Sequence, residues 1–328
     1  MAVPKSGTGS SRGVGGWLYE VLCKLSTVGL LGAVAISLLR FTNVEQSLLF
    51  GLVPIAPAVA LGFLVLYGLL RDAVLFVLTL VMAVVIAGLW LPGTTIPRRG
   101  CTIESEVAVE SLVVMSHNLL IGNNEIDAVT EQIEIVAPGV LLLQEAGVDF
   151  TTELLSRIEA DYPHVIWERG QVIASRWPLS DANVVSLVGT ASKPLILATV
   201  EWPGSSFRIA NFHANPPFSS ELRASQRVQF TELQNAEAFG DIELLMGDFN
   251  APSSDKQYRE LRSGFTDAHR SAGCGLGTTW SALGTGPGIL SIDHALTRGG
   301  VSPMSFEIFD YAGSDHKAIA VRIIRTNG

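Results

Sequence analysis

Charge is what this sequence is short of. Only 16% of its 328 residues are Asp, Glu, Lys or Arg, against about 25% in an ordinary soluble protein. The deficit lies at the front. Residues 25–39, 47–70 and 73–97 carry no charged side chain at all. Cysteine is scarce too, with three in the chain, and Cys23, Cys101 and Cys274 have the spacing of neither a zinc site nor a redox pair. No excess of positive charge exists either. From residue 101 onward there are 15 Lys and Arg against 28 Asp and Glu, a formal charge of −13. A protein that grips nucleic acid without sequence preference carries a basic patch, and this one does not advertise it. No internal repeat and no long low-complexity tract appears.

The uncharged runs have the length of membrane spans, for which roughly 20 apolar residues suffice. They predict three transmembrane helices at about 25–41, 48–70 and 73–92, after an N-terminal tail of residues 1–24. The first run is short, but Lys24 and Arg40 at its ends can reach the interface. Trp17, Tyr19, Tyr67 and Trp90 stand near span ends, where interfacial aromatics belong. The runs contain no ionisable pair, which speaks for an anchor and against a transport pathway. A cleaved signal peptide is disfavoured because two further spans follow. An odd number of spans puts the termini on opposite sides. Lys5, Arg12, Lys24 and Arg71 on one side outnumber Arg40, Arg98 and Arg99 on the other. This slight bias predicts a multi-pass protein of the cell membrane with its C-terminal part outside. There Cys101 and Cys274 either pair in an oxidising compartment or remain two unrelated thiols. Residues 93–106, with Pro97, Arg98, Arg99 and Gly100, read as a linker. Residues 107–328 are one domain's worth of chain.

Within that domain, apolar runs of strand length end again and again on a polar side chain. Val107–Ser116 runs into His117-Asn118. Val140–Leu143 ends in Gln144-Glu145. Phe207–Phe212 ends at His213. Ile242-Glu243-Leu244-Leu245-Met246 ends in Gly247-Asp248-Phe249-Asn250, and Asp248 and Asn250, two apart, point the same way on an extended chain. Ser291–Leu296 is strand-like and contains Asp293-His294. Further strands are predicted at Val172–Ala174, Leu195–Trp202, Phe306–Phe309 and Ala318–Ile324. Helices are predicted after Asn123 or Asn124, where Ile126, Val129, Ile133 and Val136 share a face. Others start at Thr151 or Thr152, run from about Ser220 to Phe239, and run from Ser253 or Ser254 to Arg262. Any one of the polar strand ends is what a turn or cap uses. Several at once are not explained that way, because converging strand ends are where α/β folds build sites.

The order Asn118, Gln144-Glu145, Ser175-Arg176-Trp177-Pro178-Leu179, Asn211-Phe212-His213, Gly247-Asp248-Phe249-Asn250, Thr279-Trp280, Ile292-Asp293-His294 and Ser314-Asp315-His316 resembles the endonuclease/exonuclease/phosphatase superfamily over about residues 107–325. The resemblance implies an α/β fold, a four-layer αββα sandwich of two mixed sheets. It implies hydrolysis of phosphate esters with a divalent metal, Mg²⁺ or Mn²⁺. By similarity Glu145 and Asn118 hold the metal with Asp315 nearby. Asp248 and Asn250 orient the attacking water and the phosphate, His213 contacts the phosphate, and Asp293 supports His316, which stabilises transition-state oxygens or works as acid or base. His117, Trp177 and His294 replace the aromatic residues more usual at those positions, which bears on the substrate rather than on hydrolysis. The expected partners are a phosphate-ester substrate, nucleic acid or lipid head group, and the bilayer around the N-terminal helices, with no protein partner. The alternative is a non-catalytic binding module using the same cleft.

Overall fold

The computed structural model describes residues 110–326 apart from 188–192, 236–238, 276 and 287, together with scattered helical positions between 17 and 84. The chain divides into two units, residues 1–90 and 91–328. In the first, the described positions are helical, and Val74, Val77, Val81 and Val84 are exposed. Most of the three expected spans, most of the tail and the whole linker lie outside the described residues. Among the described residues, no helix is long and apolar enough to cross a membrane.

The second unit is built on strands whose side chains alternate between two apolar surroundings. Strand β1 (Ser111–Asn118) pairs in parallel with β2 (Val140–Gln144), and the chain joins them through helix α1 (Ile126–Val136). A parallel pair needs such a crossover. Helix α2 (Val148–Ile158) follows, then β3 (His164–Glu168), β4 (Gln171–Ser175), β5 (Leu179–Ser186), β6 (Pro194–Val200) and β7 (Phe207–His213). Helix α3 (Ser220–Asn235) carries the chain to β8 (Leu244–Asp248), parallel to β7. Helix α4 (Lys256–Arg262), β9 (Thr266–Asp267), helix α5 (Ala268–Ala272), β10 (Asp293–Thr297), β11 (Val301–Ile308) and β12 (Ile319–Arg325) complete the unit. Two six-stranded mixed sheets result, ordered β11-β12-β1-β2-β4-β3 and β5-β6-β7-β8-β10-β9.

The alternation decides the layering. Val114, Leu142 and Ile173 of the first sheet meet Ile196, Ile209 and Met246 of the second in one core. The opposite faces of the same strands are equally apolar. Met115, Leu141 and Leu143 pack under Val129, Ile133 and Leu154 of α1 and α2. Phe212 and Leu245 pack under Phe230, Leu233 and Tyr258 of α3 and α4. Strands covered on both faces read as near-continuous apolar runs. The order of layers is therefore helix, sheet, sheet, helix, the α/β sandwich expected from the resemblance.

Strands β3 and β5, helix α5 and the two-residue β9 are absent from the sequence expectations. Both β3 and β5 are edge strands with mostly half-buried or exposed side chains, so neither shows the apolar run that marked the others. Helix α2 starts at Val148, three residues before the expected Thr151, and Gly147 at its N-cap offers no side chain to announce it.

Candidate active site

Each strand row facing the space between the sheets begins apolar and finishes polar. Val114-Ser116-Asn118, Leu142-Gln144, Ile209-Asn211-His213 and Leu244-Met246-Asp248 are such rows, by the two-residue period of a strand. Asp293 belongs to the same set, paired across the sheet with Asp248. Ser116, Gln144, Asn211, His213, Asp248 and Asp293 are all buried. One end of the inter-sheet core is thus polar, and the site is that end.

Behind it the two sheets are hydrogen-bonded together. Gln144 Nε2 donates to Asn211 Oδ1 at 2.7 Å and to Ser116 Oγ at 3.0 Å. Asn211 Nδ2 donates to the carbonyls of Leu143 and Val172 at 3.0 and 2.9 Å. Buried amides with partners of this quality fix one register between layers.

Asp248 is the centre. Its Oδ2 accepts from Asn118 Nδ2 and from Asn250 Nδ2, each at 2.9 Å, and its Oδ1 accepts the Asn250 backbone N–H at 2.8 Å. Asn250 does not reach Asp248 by strand parity as the sequence spacing implied. Strand β8 ends at Asp248, and Asn250 turns back through a left-handed conformation, φ 48°. Asn tolerates that region better than most residues. Gly247 is required one step earlier. It lies at φ 144°, and a Cβ there would stand 2.0 Å from the Phe212 carbonyl oxygen of the neighbouring strand. Burial raises the Asp248 carboxyl to about 6. His316 opposes this rise and Asp293 reinforces it.

His316 is oriented by Asp293, whose Oδ2 and Oδ1 lie 3.0 and 3.2 Å from Nδ1. That leaves Nε2 aimed at Asp248 Oδ2, 3.8 Å away, with Asp315 Oδ1 at 4.0 Å. Burial alone would lower this imidazole, but Asp293 and then Asp248 outweigh it and raise it to about 10. The ring is an imidazolium at neutral pH. Thr279 Oγ1 accepts the Ile292 and Asp293 N–H groups, both at 3.2 Å, and so holds the orienting carboxylate. Trp280 Nε1 donates to Asp315 Oδ2 at 2.9 Å. Ser314 Oγ donates to the Asn118 carbonyl at 2.6 Å and accepts the His316 N–H at 3.0 Å, which pins the last loop onto β1.

Glu145 follows β2 in a left-handed conformation, φ 51°. Its Oε1 faces His213 Nε2 at 3.5 Å and Lys193 Nζ at 3.4 Å, and its Oε2 accepts the Ile121 N–H at 3.3 Å. His213 Nε2 is also 3.5 Å from Asp248 Oδ2. Lys193 Nζ contacts His213 Nε2. An ammonium only donates, so Nε2 is the acceptor and the ring is neutral. Burial, then Lys193 and His316, accordingly hold the His213 imidazole well below its ordinary value. Burial lowers Lys193, against the pull of Glu145 and Asp248.

A divalent cation fits this donor set. Asn118, Glu145, Asp248 and Asp315 offer hard oxygen atoms, the kind Mg²⁺ and Mn²⁺ take. A buried carboxylate raised by its own burial also gains from added positive charge. Asp248, Asp293 and His316 bring ligand atoms within 4.8 Å of one another, yet Asp293 is already committed to His316 Nδ1, so that pair is better read as an oriented dyad.

The Endonuclease/Exonuclease/phosphatase family profile matches residues 115–316, well over half of the chain. The chain belongs to the endonuclease/exonuclease/phosphatase family. Members of this family are typically divalent-metal-dependent phosphoesterases. No curated protein matches the chain in sequence. Solved structures match in fold. An endonuclease/exonuclease/phosphatase from Beutenbergia cavernae is 19% identical, with a TM-score of 0.53 over 66% of this chain and 72% of that one. A family protein from Bacteroides thetaiotaomicron is 15% identical, with a TM-score of 0.56 over 67% of this chain and 100% of that one. One from Leptotrichia buccalis is 16% identical, with a TM-score of 0.54 over 65% and 99%.

All eight residues expected from the family resemblance lie at this end of the sandwich. Asn118, Asn250, His213, His316 and Asp293 gather about Asp248. Glu145 joins through His213, and Asp315 through His316. Asn118, expected as a metal ligand, spends its amide nitrogen on Asp248 and its Oδ1 on the Leu120 N–H at 3.1 Å. Sequence reasoning missed Lys193, a single lysine before Pro194 with no motif around it. It also missed the part played by Ser314 and Thr279, whose hydroxyls act on backbone rather than substrate. His117 and His294 face away from the reaction centre. His117 Nε2 meets the His316 carbonyl at 3.1 Å, and burial lowers this imidazole to about 4. His294 stacks on Tyr258 with centroids 4.0 Å apart.

Proposed function

We propose that this chain is a membrane-anchored, divalent-metal-dependent hydrolase of phosphate esters, with its catalytic unit on the extracytoplasmic side. The observation that carries the hydrolase reading is the opposition of two groups across one small space. A buried carboxylate, Asp248, faces an imidazolium, His316, that Asp293 holds in place. Asp248 accepts a proton from the attacking water. His316 donates from Nε2 to a phosphoryl or leaving oxygen as negative charge builds there. Asn250 and Asn118 keep the Asp248 oxygens in position. Lys193, whose ammonium donates to the neutral His213 ring, presents positive charge to the phosphate. Asn118, Glu145 and Asp315 would hold the metal, with Asp248 beside them. When bound, the metal supplies a Lewis acid that polarises the phosphoryl oxygen.

The test uses the detergent-solubilised full-length chain and two soluble substrates, bis(p-nitrophenyl) phosphate and p-nitrophenyl phosphate. Turnover with Mg²⁺ or Mn²⁺ and its loss on chelation are expected. An enzyme indifferent to chelator ends the reading.

Membrane anchoring rests on the uncharged runs of residues 25–39, 47–70 and 73–97. The external placement rests on the bias of Lys and Arg and on Cys274, which is disulfide-bonded. Disulfides persist in oxidising compartments. A C-terminal alkaline phosphatase fusion is expected to be active and a fluorescent-protein fusion dark. The opposite pattern refutes the orientation.

A further inference from the structure

Large apolar side chains that solvent reaches are unevenly spread over the catalytic unit. Leu283 is 83% exposed, Ile121 73%, Val148 70%, Phe218 68% and Ile289 45%. Each stands on a connection, or in the case of Val148 at the start of a helix, at the end of the sandwich that holds Asp248. Ile121 follows β1, and its N–H reaches the Glu145 carboxylate. Val148 opens α2 three residues after Glu145. Phe218 lies between His213 and α3. Leu283 and Ile289 belong to the loop after Trp280, where the Ser281 N–H donates to the Asp315 carbonyl at 3.0 Å. Other exposed groups of this kind in the unit, such as Ile135 and Val184, stand singly on helices or strands. Single exposed apolar residues are ordinary, whereas a ring of them around one site marks an interaction surface.

We infer that this rim docks on a lipid bilayer and that the phosphate ester delivered to Asp248 and His316 is a phospholipid head group. The choice of substrate rests on the hydrolase reading, while the docking surface does not. A polyanion needs a basic rim, whereas this rim presents large apolar side chains and the chain from residue 101 onward has a formal charge of −13. Three of the arginines that cluster in sequence are turned to other work. Arg223 is buried and donates to the Pro217 carbonyl, Arg259 donates to the Ser254 carbonyl, and Arg262 faces Asp267 at 3.9 Å. An apolar rim inserts at a bilayer surface in proportion to the area it buries. The same chain carries the uncharged runs that suit a bilayer, so its substrate surface and its anchor would share one membrane. In the reaction the water oxygen bonds to phosphorus and the P–O bond to the leaving alcohol breaks. The water proton goes to Asp248 and the leaving oxygen takes the proton of His316.

Two measurements on the full-length chain test this. The first places benzoylphenylalanine at Phe218, Leu283 or Ile135 in vesicles of phosphatidylcholine and phosphatidylglycerol. Ile135, at the end of α1 remote from the site, is the equally exposed control. Lipid adducts at positions 218 and 283 are expected to exceed those at 135 by about tenfold. Equal adducts overturn the docking surface. The second compares turnover of the same lipids in mixed micelles with turnover of bis(p-nitrophenyl) phosphate and plasmid DNA. The double variant Phe218→Ser/Leu283→Ser is expected to lose about tenfold on lipid and less than about twofold on the soluble ester. Equal losses on both, or DNA nicked faster than lipid is hydrolysed, overturn the proposal. A wild-type chain inert on every ester removes the hydrolase reading and with it the lipid substrate, and the adducts alone then decide the docking surface.

Discussion

Glu243 and Asp248 stand at the two ends of one strand, and the contrast between them separates a structural charge from a chemical one. Glu243, just before β8, is matched by cations and amides. Its Oε1 accepts from Arg325 at 2.7 Å, and its Oε2 accepts the Arg208 N–H at 3.2 Å. It lines a cavity of about 440 Å³ with Asp181, Asp241, Arg208 and Arg325, where opposite charges alternate. Asp248 is fully buried. Its nearest partners are two asparagine amides, and a second acid, Asp293, lies close by. A paired surface carboxylate closes a seam between strands. A buried carboxylate held by neutral donors is raised, poised to take a proton, and receptive to a cation.

The largest effects should come from the chemical end. Asp248→Ala and His316→Ala are each expected to lower turnover of a soluble phosphate ester at least about 100-fold, whereas Glu243→Gln should change it less than about threefold. Steady-state kinetics on the three variants decides this. A comparable loss for Glu243→Gln would erase the distinction between the two ends.

Next comes the backbone that delivers Asp248. Gly247→Ala drives a methyl group into the Phe212 carbonyl. It is expected to cost about 3 kcal/mol or more, beyond an ordinary point substitution. Thermal unfolding of the variant reads this directly. A Tm unchanged from the parent would show that the close pairing of β7 and β8 is not needed.

The third prediction concerns pH. The His316 imidazole is raised from an ordinary 6.5 to about 10, with Asp293 the largest raising influence. A group raised in the folded state stabilises fully below its unfolded value. That stability is lost as pH rises toward the folded one. The chelated protein should therefore lose Tm progressively between pH 6.5 and 10, and His316→Asn should flatten that limb. Asp293→Asn should move the alkaline limb of the activity profile to lower pH. A limb that stays in place would mean the dyad does not set it.

The smallest effect expected is the stability cost of Glu243→Gln, about 1 kcal/mol, because Arg325 is partly exposed. Chemical denaturation measures it. A loss several times larger would make this end of the sandwich more than a seam.

How much was legible beforehand follows from which signals are local. Buried strands are apolar runs, and β1, β2, β4, β6, β7, β8 and β12 announce themselves because both their faces are covered. Their polar last residues stand out against those runs, so Asn118, Glu145, His213 and Asp248 can be picked out one by one. A residue sequence says which side chains lie at or just after strand ends, and here it determined that Asn118, Glu145, His213 and Asp248 would be among the groups at the site. It could not say which way Asn250 turns, since that depends on a left-handed residue after β8. Nor could it reveal Lys193, whose place at His213 depends on β6 and β7 being neighbours. His117 and His294 look like site residues in sequence, and strand alternation sends both to the helix side. Only the tertiary structure put Asp293 against His316, 23 residues away, and closed Gln144 onto Asn211 across the sheets. The physical reason is that hydrogen bonds and charge displacements act over a few ångströms in space. Packing of the two sheets, not distance along the chain, decides which groups come that close.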